Sequence, residues 1–386
     1  MNRTVYLDAN ASTPLDQRVL DAMLPHFGAP GNASSSHDFG VRAARAVAEA
    51  RERVAALLGC RTREIVFTSG ATESNNVAIK GVAHGSDRRH LVTCATEHKA
   101  VLEPMRALAR NEWSISVVGV NLHGVIGLDS LRDEVTSATA LVSVMGANNE
   151  TGTLAPLAAV ADVAHAAGAL FHCDGTQLVP WGPIDVEAVG VDLLSLSAHK
   201  MHGPQGVGAL YVRREVAHRL MPLFDGGGQE RGLRSGTLNV AGVVGLGAAA
   251  DIVVAEAREY APRVGRLRDE LHREVVARCG AVLNGHPTER APGTLNLCFG
   301  ADVDAEAVTA GMPEVAVATG SACTSAVPSP SHVLTAMGID AGRAHASLRL
   351  SLSRMTTQDD VRCAIDRISA VVAEVRERLS SGAVSA

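Results

Sequence analysis

Short apolar runs alternate with amphipathic stretches along the first half of the chain. Several runs are apolar at nearly every position, which is typical of strands covered by helices on both faces of a sheet. The runs predict seven strands, at residues 65–68, 91–95, 115–120, 140–145, 169–173, 192–197 and 207–212. The other stretches predict helices at residues 40–58, 72–83, 98–110, 128–135, 156–167 and 214–220. This alternation favours an α/β fold in which helices cover both sides of a mostly parallel sheet.

The pattern changes after a glycine-rich loop at residues 226–231. A long helix is predicted from about residue 241 to 278, with an interruption near Pro262, because proline removes a backbone hydrogen-bond donor. The rest predicts an α+β arrangement, with strands near residues 294–299, 315–318 and 346–352 and helices near residues 329–337 and 357–379. We therefore expect a large domain at residues 13–257 and a small domain formed by residues 1–12 and 258–386.

Composition narrows the class of protein. The 386 residues are 46% hydrophobic and 20% charged, as in a globular protein with a sizeable core. The net charge of −6, with no basic run among aromatic residues, gives no support for direct nucleic-acid binding. The first eight residues lack the apolar core of a signal peptide, and no apolar stretch of membrane-spanning length is free of charge, so we expect a cytoplasmic protein that does not enter the membrane. Seven cysteines without a CxxC pair argue against a disulfide framework and a zinc ribbon, and no metal site is predicted.

Lysine is rare in this chain, and one lysine follows an apolar run. Only Lys80, Lys99 and Lys200 occur among 35 basic residues, and Lys200 comes shortly after the predicted strand at 192–197. A lysine amine can act as a neutral nucleophile and form a Schiff base, whereas a guanidinium cannot. Lys200 is therefore a candidate Schiff-base lysine, and the alternative is a lysine that merely lies at the rim of the sheet.

Two more features suit the same chemistry. Asp174 ends the apolar segment at 169–173, and a carboxylate there is costly unless it pairs with a cation. The protonated pyridine nitrogen of pyridoxal phosphate (PLP) is such a cation. Small residues at 68–72 open a helix after a strand, where backbone amides can hold a phosphate. Many α/β loops have this composition, so the turn alone is a weak signal.

An arginine and a cysteine also stand out. Arg349 lies in an alternating strand, and its planar fork suits a carboxylate, although a surface arginine is the alternative. Cys323 lies among small residues at 319–326, which favours a mobile loop, although a surface cysteine on a linker is the alternative. The other cysteines fall in predicted strands or at helices and are expected to be unreactive: Cys60, Cys94, Cys173, Cys279, Cys298 and Cys363.

Six motifs together resemble one family. They are Thr68 to Asn75, Thr96 to Val101, Asn148 to Gly152, Ser197 to Lys200, Arg234 to Thr237 and Gly320 to Thr324. The chain resembles the cysteine desulfurases of the NifS/IscS type, PLP enzymes of fold type I in aminotransferase class V, from Tyr6 to about Arg354. This resemblance implies a large PLP-binding domain with a seven-stranded, mostly parallel sheet and a small α+β domain that carries the catalytic cysteine loop.

The resemblance also implies a role for particular residues around the cofactor. Lys200 would carry PLP, Asp174 would pair with the pyridine nitrogen, and His98 would stack on the ring and help move protons. Gln177 would bond the phenolic oxygen. The phosphate would be held by Ala71, Thr72, Ser197 and His199, and by Thr237 of a neighbouring chain, which implies a homodimer. From the residues alone, His98 can instead be a helix cap and Gln177 a residue that closes a turn.

On the substrate side, the resemblance implies that Asn149 and Arg349 hold the carboxylate of L-cysteine. Asn149 would also lie against the cofactor, although from the residues alone it can be a turn former. Cys323 would attack the substrate sulfur, so that L-cysteine becomes L-alanine and the cysteine becomes a persulfide. Asn10 stands where serine or alanine is more usual in the family, and we expect it to touch no catalytic residue.

The sulfur would then pass to an acceptor protein. An iron–sulfur scaffold, a tRNA-thiolation component and a DNA sulfur-modification component are all open as acceptors. The alternative activities are those of a selenocysteine lyase or of another class V aminotransferase, although a transaminase has no need of the Gly-Ser-Ala-Cys loop. A non-catalytic scaffold for sulfur transfer is a further alternative, which the presence of Lys200, Asp174, His98 and Cys323 disfavours.

Overall fold

A computed structural model of the chain describes residues 4–319 and 330–382. Its strands, numbered in chain order, are β1 (Val5–Tyr6), β2 (Ile65–Thr68), β3 (His90–Cys94), β4 (Ser114–Val118), β5 (Thr139–Ser143), β6 (Leu170–Asp174), β7 (Leu193–Ser197), β8 (Gly208–Val212), β9 (Val282–Leu283), β10 (Thr294–Cys298), β11 (Val315–Ala316), β12 (Ala318–Thr319) and β13 (Ser347–Ser351).

The α-helices are α1 (Gln17–Met23), α2 (Asp38–Leu58), α3 (Ala71–His84), α4 (Lys99–Ala109), α5 (Leu128–Glu134), α6 (Leu157–Ala166), α7 (Val186–Val189), α8 (Val240–Cys279), α9 (Ala305–Gly311), α10 (His332–Ala336), α11 (Ala341–His345) and α12 (Gln358–Gly382). The stretch predicted as a helix at 214–220 forms a 3₁₀ helix, Arg214–Arg219.

The large sheet has seven strands in the order β2-β8-β7-β6-β5-β3-β4. Strand β8 runs antiparallel to both of its neighbours, and the strands from β7 to β4 are parallel. Most positions of β2, β5, β6, β7 and β8 are buried, because helices cover both faces of the sheet. The predicted α/β fold with a mostly parallel seven-stranded sheet is confirmed, and each strand lies within two residues of its predicted position.

The long helix α8 connects two hydrophobic cores. Its residues up to Tyr260 pack with the large sheet, and its residues from Val264 onward pack with β10, β13 and α12. The predicted interruption at Pro262 is wrong, because the helix continues through this residue. Packing on both sides of the proline, and the hydrogen bond from the Tyr260 hydroxyl to the Pro180 carbonyl oxygen, hold the helix together there. The domain boundary drawn at residue 257 remains a prediction.

Helix α8 is also long and apolar enough to cross a membrane. Of its most apolar stretch, however, 72% is buried inside the protein. Such burial is typical of the central helix of a folded core.

The second sheet is antiparallel, in the order β12-β13-β10-β9. The start of the chain lies beside it: β1 pairs with β11 in a separate two-stranded sheet, and Asp8 forms a bridge with Ser351 at the end of β13. The next residues contact the large sheet, because the Thr13 amide donates to the His199 carbonyl oxygen. The first ten described residues therefore lie between the two sheets, beside the place where β6 and β7 end.

Candidate active site

A cavity of about 550 Å³ lies at the ends of β2, β6 and β7. Parallel strands present their carboxyl ends at one edge of a sheet, which is where open α/β folds bind ligands. Ten of the twelve predicted site residues line this cavity: Ala71, Thr72, His98, Asn149, Asp174, Gln177, Ser197, His199, Lys200 and Arg349.

Lys200 ends a 3₁₀ turn that follows β7 directly. Its ammonium donates to the carbonyl oxygens of Asn10 and Ala11, the latter at 2.8 Å. Main-chain carbonyls of the N-terminal segment therefore hold the amine at the cavity wall. The neighbouring imidazole of His199 has its pKa lowered to about 4 by burial and, secondarily, by the charge of Lys200.

Asp174 is the last residue of β6, and it is buried. One carboxylate oxygen accepts from the side-chain amide of Asn75 at 2.8 Å, and the other accepts from the Thr176 amide at 3.1 Å. Two donors thus orient the carboxylate without neutralising its charge. Asn75 lies on α3 one turn after Ala71, within one of the six motifs, but nothing in the helical pattern distinguishes it as a partner of Asp174.

The N-terminus of α3 forms a second wall of the cavity. Gly70, the residue before the helix, has no side chain to cap it, so the first amides of the helix lack a side-chain cap. Two of these amides belong to Ala71 and Thr72, which line the cavity. Gly70 has a φ of +151°, and a Cβ on Gly208 of β8 would lie 2.7 Å from the Gly70 Cα. Glycine at both positions lets the turn approach β8 and lie close to Ser197.

His98 caps α4. Its Nδ1 accepts from the Ala100 amide at 3.1 Å, so the capping alternative is correct, and the ring lines the cavity as well. Burial lowers the pKa of His98, although Asp174 opposes this effect. The ring is therefore neutral near pH 7, and its proton lies on Nε2 because Nδ1 is an acceptor.

Arg349 is buried in β13, so the surface-arginine alternative is wrong. Its guanidinium donates to Asp8 Oδ1 at 2.7 Å and to the Asn149 carbonyl oxygen at 3.2 Å. Its buried Nε has no hydrogen-bond partner among the described residues. A buried donor without a partner is costly. Arg349 lines the cavity, where a guanidinium suits a carboxylate ligand.

Asn10 corrects one expectation. It contacts three of the predicted site residues: its carbonyl oxygen accepts from Lys200 and from the Gln177 side-chain amide (3.0 Å), and its own side chain donates to the Asn149 carbonyl oxygen at 3.0 Å. The expectation that Asn10 touches no catalytic residue is therefore wrong. The contacts depend on where the N-terminal segment lies, which no local pattern in the sequence reveals.

Comparison with known proteins agrees with this geometry. The aminotransferase class-V family matches residues 5–363. The chain belongs to this family. It is 49% identical to a protein named cysteine desulfurase IscS from Anaeromyxobacter sp. (strain Fw109-5), over 98% of this chain and 94% of that protein.

Solved structures of class-V proteins agree as well. A NifS-like protein superposes with a TM-score of 0.89 at 37% identity, and the match covers 96% of this chain and 99% of the NifS-like chain. The structure of SspA in complex with cysteine superposes with a TM-score of 0.82 at 34% identity, and the match covers 92% of this chain and 100% of the SspA chain. The predicted family and the fold-type-I class are confirmed.

PLP is the cofactor of this class-V family, and the residues present fit it. A PLP molecule needs an amine, an anionic partner for its pyridine nitrogen and an anion-binding site for its phosphate. Lys200, Asp174 and the uncapped N-terminus of α3 lie around one cavity and supply these three groups.

The other two predicted site residues are Thr237 and Cys323. Thr237 is exposed and lies on the loop before α8. Cys323 lies outside the described residues. Their roles remain predictions.

Proposed function

We propose that this class-V protein is a PLP-dependent cysteine desulfurase, which releases L-alanine from L-cysteine and keeps the sulfur as a persulfide on Cys323. The observation that carries this proposal is that a lysine amine, a buried carboxylate and a buried arginine line one cavity: Lys200, Asp174 and Arg349. The relative named cysteine desulfurase and the neighbour solved with cysteine support the choice of substrate.

Each side chain has a task in this reaction. Arg349 and Asn149 hold the substrate carboxylate, and Lys200 moves the proton of the substrate Cα. PLP, when bound, stores the electron pair released at Cα. His98 is neutral and carries its proton on Nε2, so it can donate that proton to a group in the cavity.

The sulfur transfer itself is assigned to Cys323. Its thiolate attacks the substrate sulfur, and an S–S bond forms as the bond from that sulfur to the substrate Cβ breaks. The electron pair of the broken bond stays with the carbon fragment, which takes up a proton and becomes L-alanine. A thiolate is a good nucleophile towards sulfur, whereas a hydroxyl is not.

Thr319 and Ser331, on either side of the segment that holds Cys323, each contact the chain neighbour of a cavity residue. Thr319, the last described residue before it, pairs with Leu348 next to Arg349. After the segment, the Ser331 hydroxyl donates to Glu150 at 2.5 Å. Cys323 is the fourth residue after Thr319, and four extended residues reach about 14 Å. This distance supports an approach of the thiol to the substrate.

Mass spectrometry after incubation with L-cysteine tests the proposal. We expect stoichiometric L-alanine and one added sulfur on the peptide that contains Cys323. Cys323→Ser should bind PLP like the parent protein but form almost no alanine. The matched control is Cys60→Ser, because burial raises the pKa of this partly exposed thiol to about 12 and leaves it unreactive. Persulfide on another cysteine, or full activity of Cys323→Ser, would contradict the assignment.

A homodimer is proposed as the working form. Thr237 lies outside the cavity of its own chain, which supports a role for its hydroxyl at the phosphate of a neighbouring chain. The exposed apolar side chains of Met221 and Phe224 precede the same loop, and exposed apolar surface favours association. Sedimentation should show a dimer of the PLP-bound protein, and a fully active monomer would refute this.

We also propose that the protein acts in the cytoplasm and passes its sulfur to an acceptor protein. The candidate acceptors are an iron–sulfur scaffold, a tRNA-thiolation component and a DNA sulfur-modification component. Affinity capture with the persulfidated protein, compared with capture by Cys323→Ser, should identify a partner that depends on the bound sulfur.

A further inference from the structure

We propose that Asp8 is a positioning residue for the substrate carboxylate and acts through Arg349. This inference rests on the proposed function, because it concerns the residue assigned to that carboxylate. No motif in the sequence distinguishes Asp8 as part of the site. Its carboxylate lies 2.7 Å from Arg349, and the side chains of the two residues are 22% and 5% exposed.

The ion pair lies beside the end of β13. Arg349 and Ser351 lie two residues apart on β13, so their side chains are on the same face of the sheet. The segment from Leu7 to Asn10 is fixed beside the end of β13, because Ser351 donates to Leu7, accepts from Ala9 and accepts from the Asn10 amide through its hydroxyl. Asp8 is therefore held next to Arg349 by main-chain contacts that do not depend on the ion pair.

The donors of Arg349 are divided between two acceptors. One terminal nitrogen donates to Asp8, the other donates to the Asn149 carbonyl oxygen, and the buried Nε has no partner within 4–319 and 330–382. The two acceptors fix the plane of the guanidinium. A guanidinium whose plane is already fixed loses little rotamer entropy when it binds a carboxylate. Its remaining N–H donors also point in fixed directions, as bidentate carboxylate binding requires.

Asn149 forms the other half of the proposed carboxylate site, and Asn10 and Arg349 both contact it. The Asn149 carbonyl oxygen accepts from both Arg349 and the side chain of Asn10, and the same Asn10 amide donates to Thr294 at 2.9 Å. Asp8 and Asn10 thus hold the two residues that face the substrate carboxylate. Loss of Asp8 should therefore weaken the binding of a ligand that has a carboxylate, and it should not affect the binding of a ligand without one.

Titration of the PLP-bound protein with L-alanine tests this proposal, with the visible absorption of the cofactor as readout. Ethylamine is the matched control ligand, because it is alanine without the carboxylate. Asp8→Ala should weaken L-alanine binding roughly tenfold, as expected when a charged hydrogen-bonding group loses its orientation. Its affinity for ethylamine and its PLP content should match those of the parent protein.

Further variants separate orientation from other effects. Asp8→Asn should weaken L-alanine binding less than Asp8→Ala, because the amide oxygen can accept the same hydrogen bond. In an Arg349→Ala background, Asp8→Ala should have no additional effect on binding. Asp129→Ala, which removes an exposed ion pair with Arg132, serves as the control for a lost surface charge.

The outcomes are distinct. Parent-like or tighter binding of L-alanine by Asp8→Ala would overturn the proposal and make Asp8 a competitor for Arg349. Equal losses for L-alanine and ethylamine would overturn it as well, since they would indicate a general structural defect. A parent protein that binds L-alanine but forms none from L-cysteine would refute the proposed function, and the titration would still measure the role of Asp8.

Discussion

Glu230 forms a buried ion pair that we expect to determine the stability of the loop before α8. Its side chain is 2% exposed and accepts from both terminal nitrogens of Arg51, at 2.6 and 2.8 Å. It also accepts from the amide of Phe67, the residue before the last residue of β2. Glu230 and Arg231 have φ values of +48° and +59°, a backbone region that is unfavourable for such side chains. The ion pair therefore holds a strained turn against the strand that leads into the candidate phosphate site.

Glu230→Ala should lower the free energy of unfolding by about 3–5 kcal/mol, because Arg51 becomes a buried cation without its partner. The double variant Arg51→Met, Glu230→Leu should lose only about 1–3 kcal/mol, since no charge is left buried and only the Phe67 amide lacks an acceptor. The control is Glu49→Ala on the same helix, α2: its pair with Arg45 is 52% and 81% exposed, and its loss should cost at most about 0.5 kcal/mol.

Urea unfolding at fixed protein concentration and saturating PLP measures these differences. A loss below about 1 kcal/mol for Glu230→Ala would refute the argument that the pair is buried and paired as described. So would a double variant that is as unstable as Glu230→Ala, because the cost would then not come from the unpaired charge.

Three further predictions concern the site and the sheet beneath it. Lys200→Ala should lose the visible absorption of covalently held PLP, and borohydride reduction of the parent protein followed by peptide mapping should label Lys200 and no other lysine. Asp174→Asn should keep the bound cofactor but lower turnover at least about tenfold, because the pyridine nitrogen loses its anionic partner; unchanged turnover would contradict this. Burial lowers the pKa of His172 to about 4 from an ordinary value near 6.5, so the unfolded chain binds more protons and the stability falls as the pH falls from 6.5 to 4. At pH 5 the free energy of unfolding has lost about 2 kcal/mol through His172. When the pH is lowered to 5, the free energy of unfolding measured with urea should therefore fall about 2 kcal/mol less for His172→Asn than for the parent protein.

The local pattern of apolar and polar residues was sufficient to predict the large sheet and the residues at the carboxyl ends of its strands. Strands such as β6 and β7 are mostly apolar and buried, and they end in Asp174 and Ser197 at the edge that carries the site. Because parallel strands end at one edge, the pattern alone predicts that these residues lie close together. The motifs of the family then assigned a role to each residue.

The parts that sequence could not predict depend on distant contacts. Strand β1 is only two residues long and exists because it pairs with β11, more than 300 positions away. The contacts of Asp8 and Asn10 with the site follow from that pairing. Pro262 shows the opposite case, because a local rule predicted a break in α8 that packing on both sides of the helix prevents.

The N-terminal segment also affects when the site can form during synthesis. Its partners, β11 and the end of β13, are made more than 300 residues later. The large sheet, which ends at Val212, is complete much earlier and can fold while translation continues. The segment from Val5 to Asn10 must remain without its strand partners until then, and closing such a distant contact is slow. The carboxylate site around Arg349 is therefore assembled only after β13 has been made, so a nascent or truncated chain can hold the cavity walls of the large domain without the residues that receive the substrate.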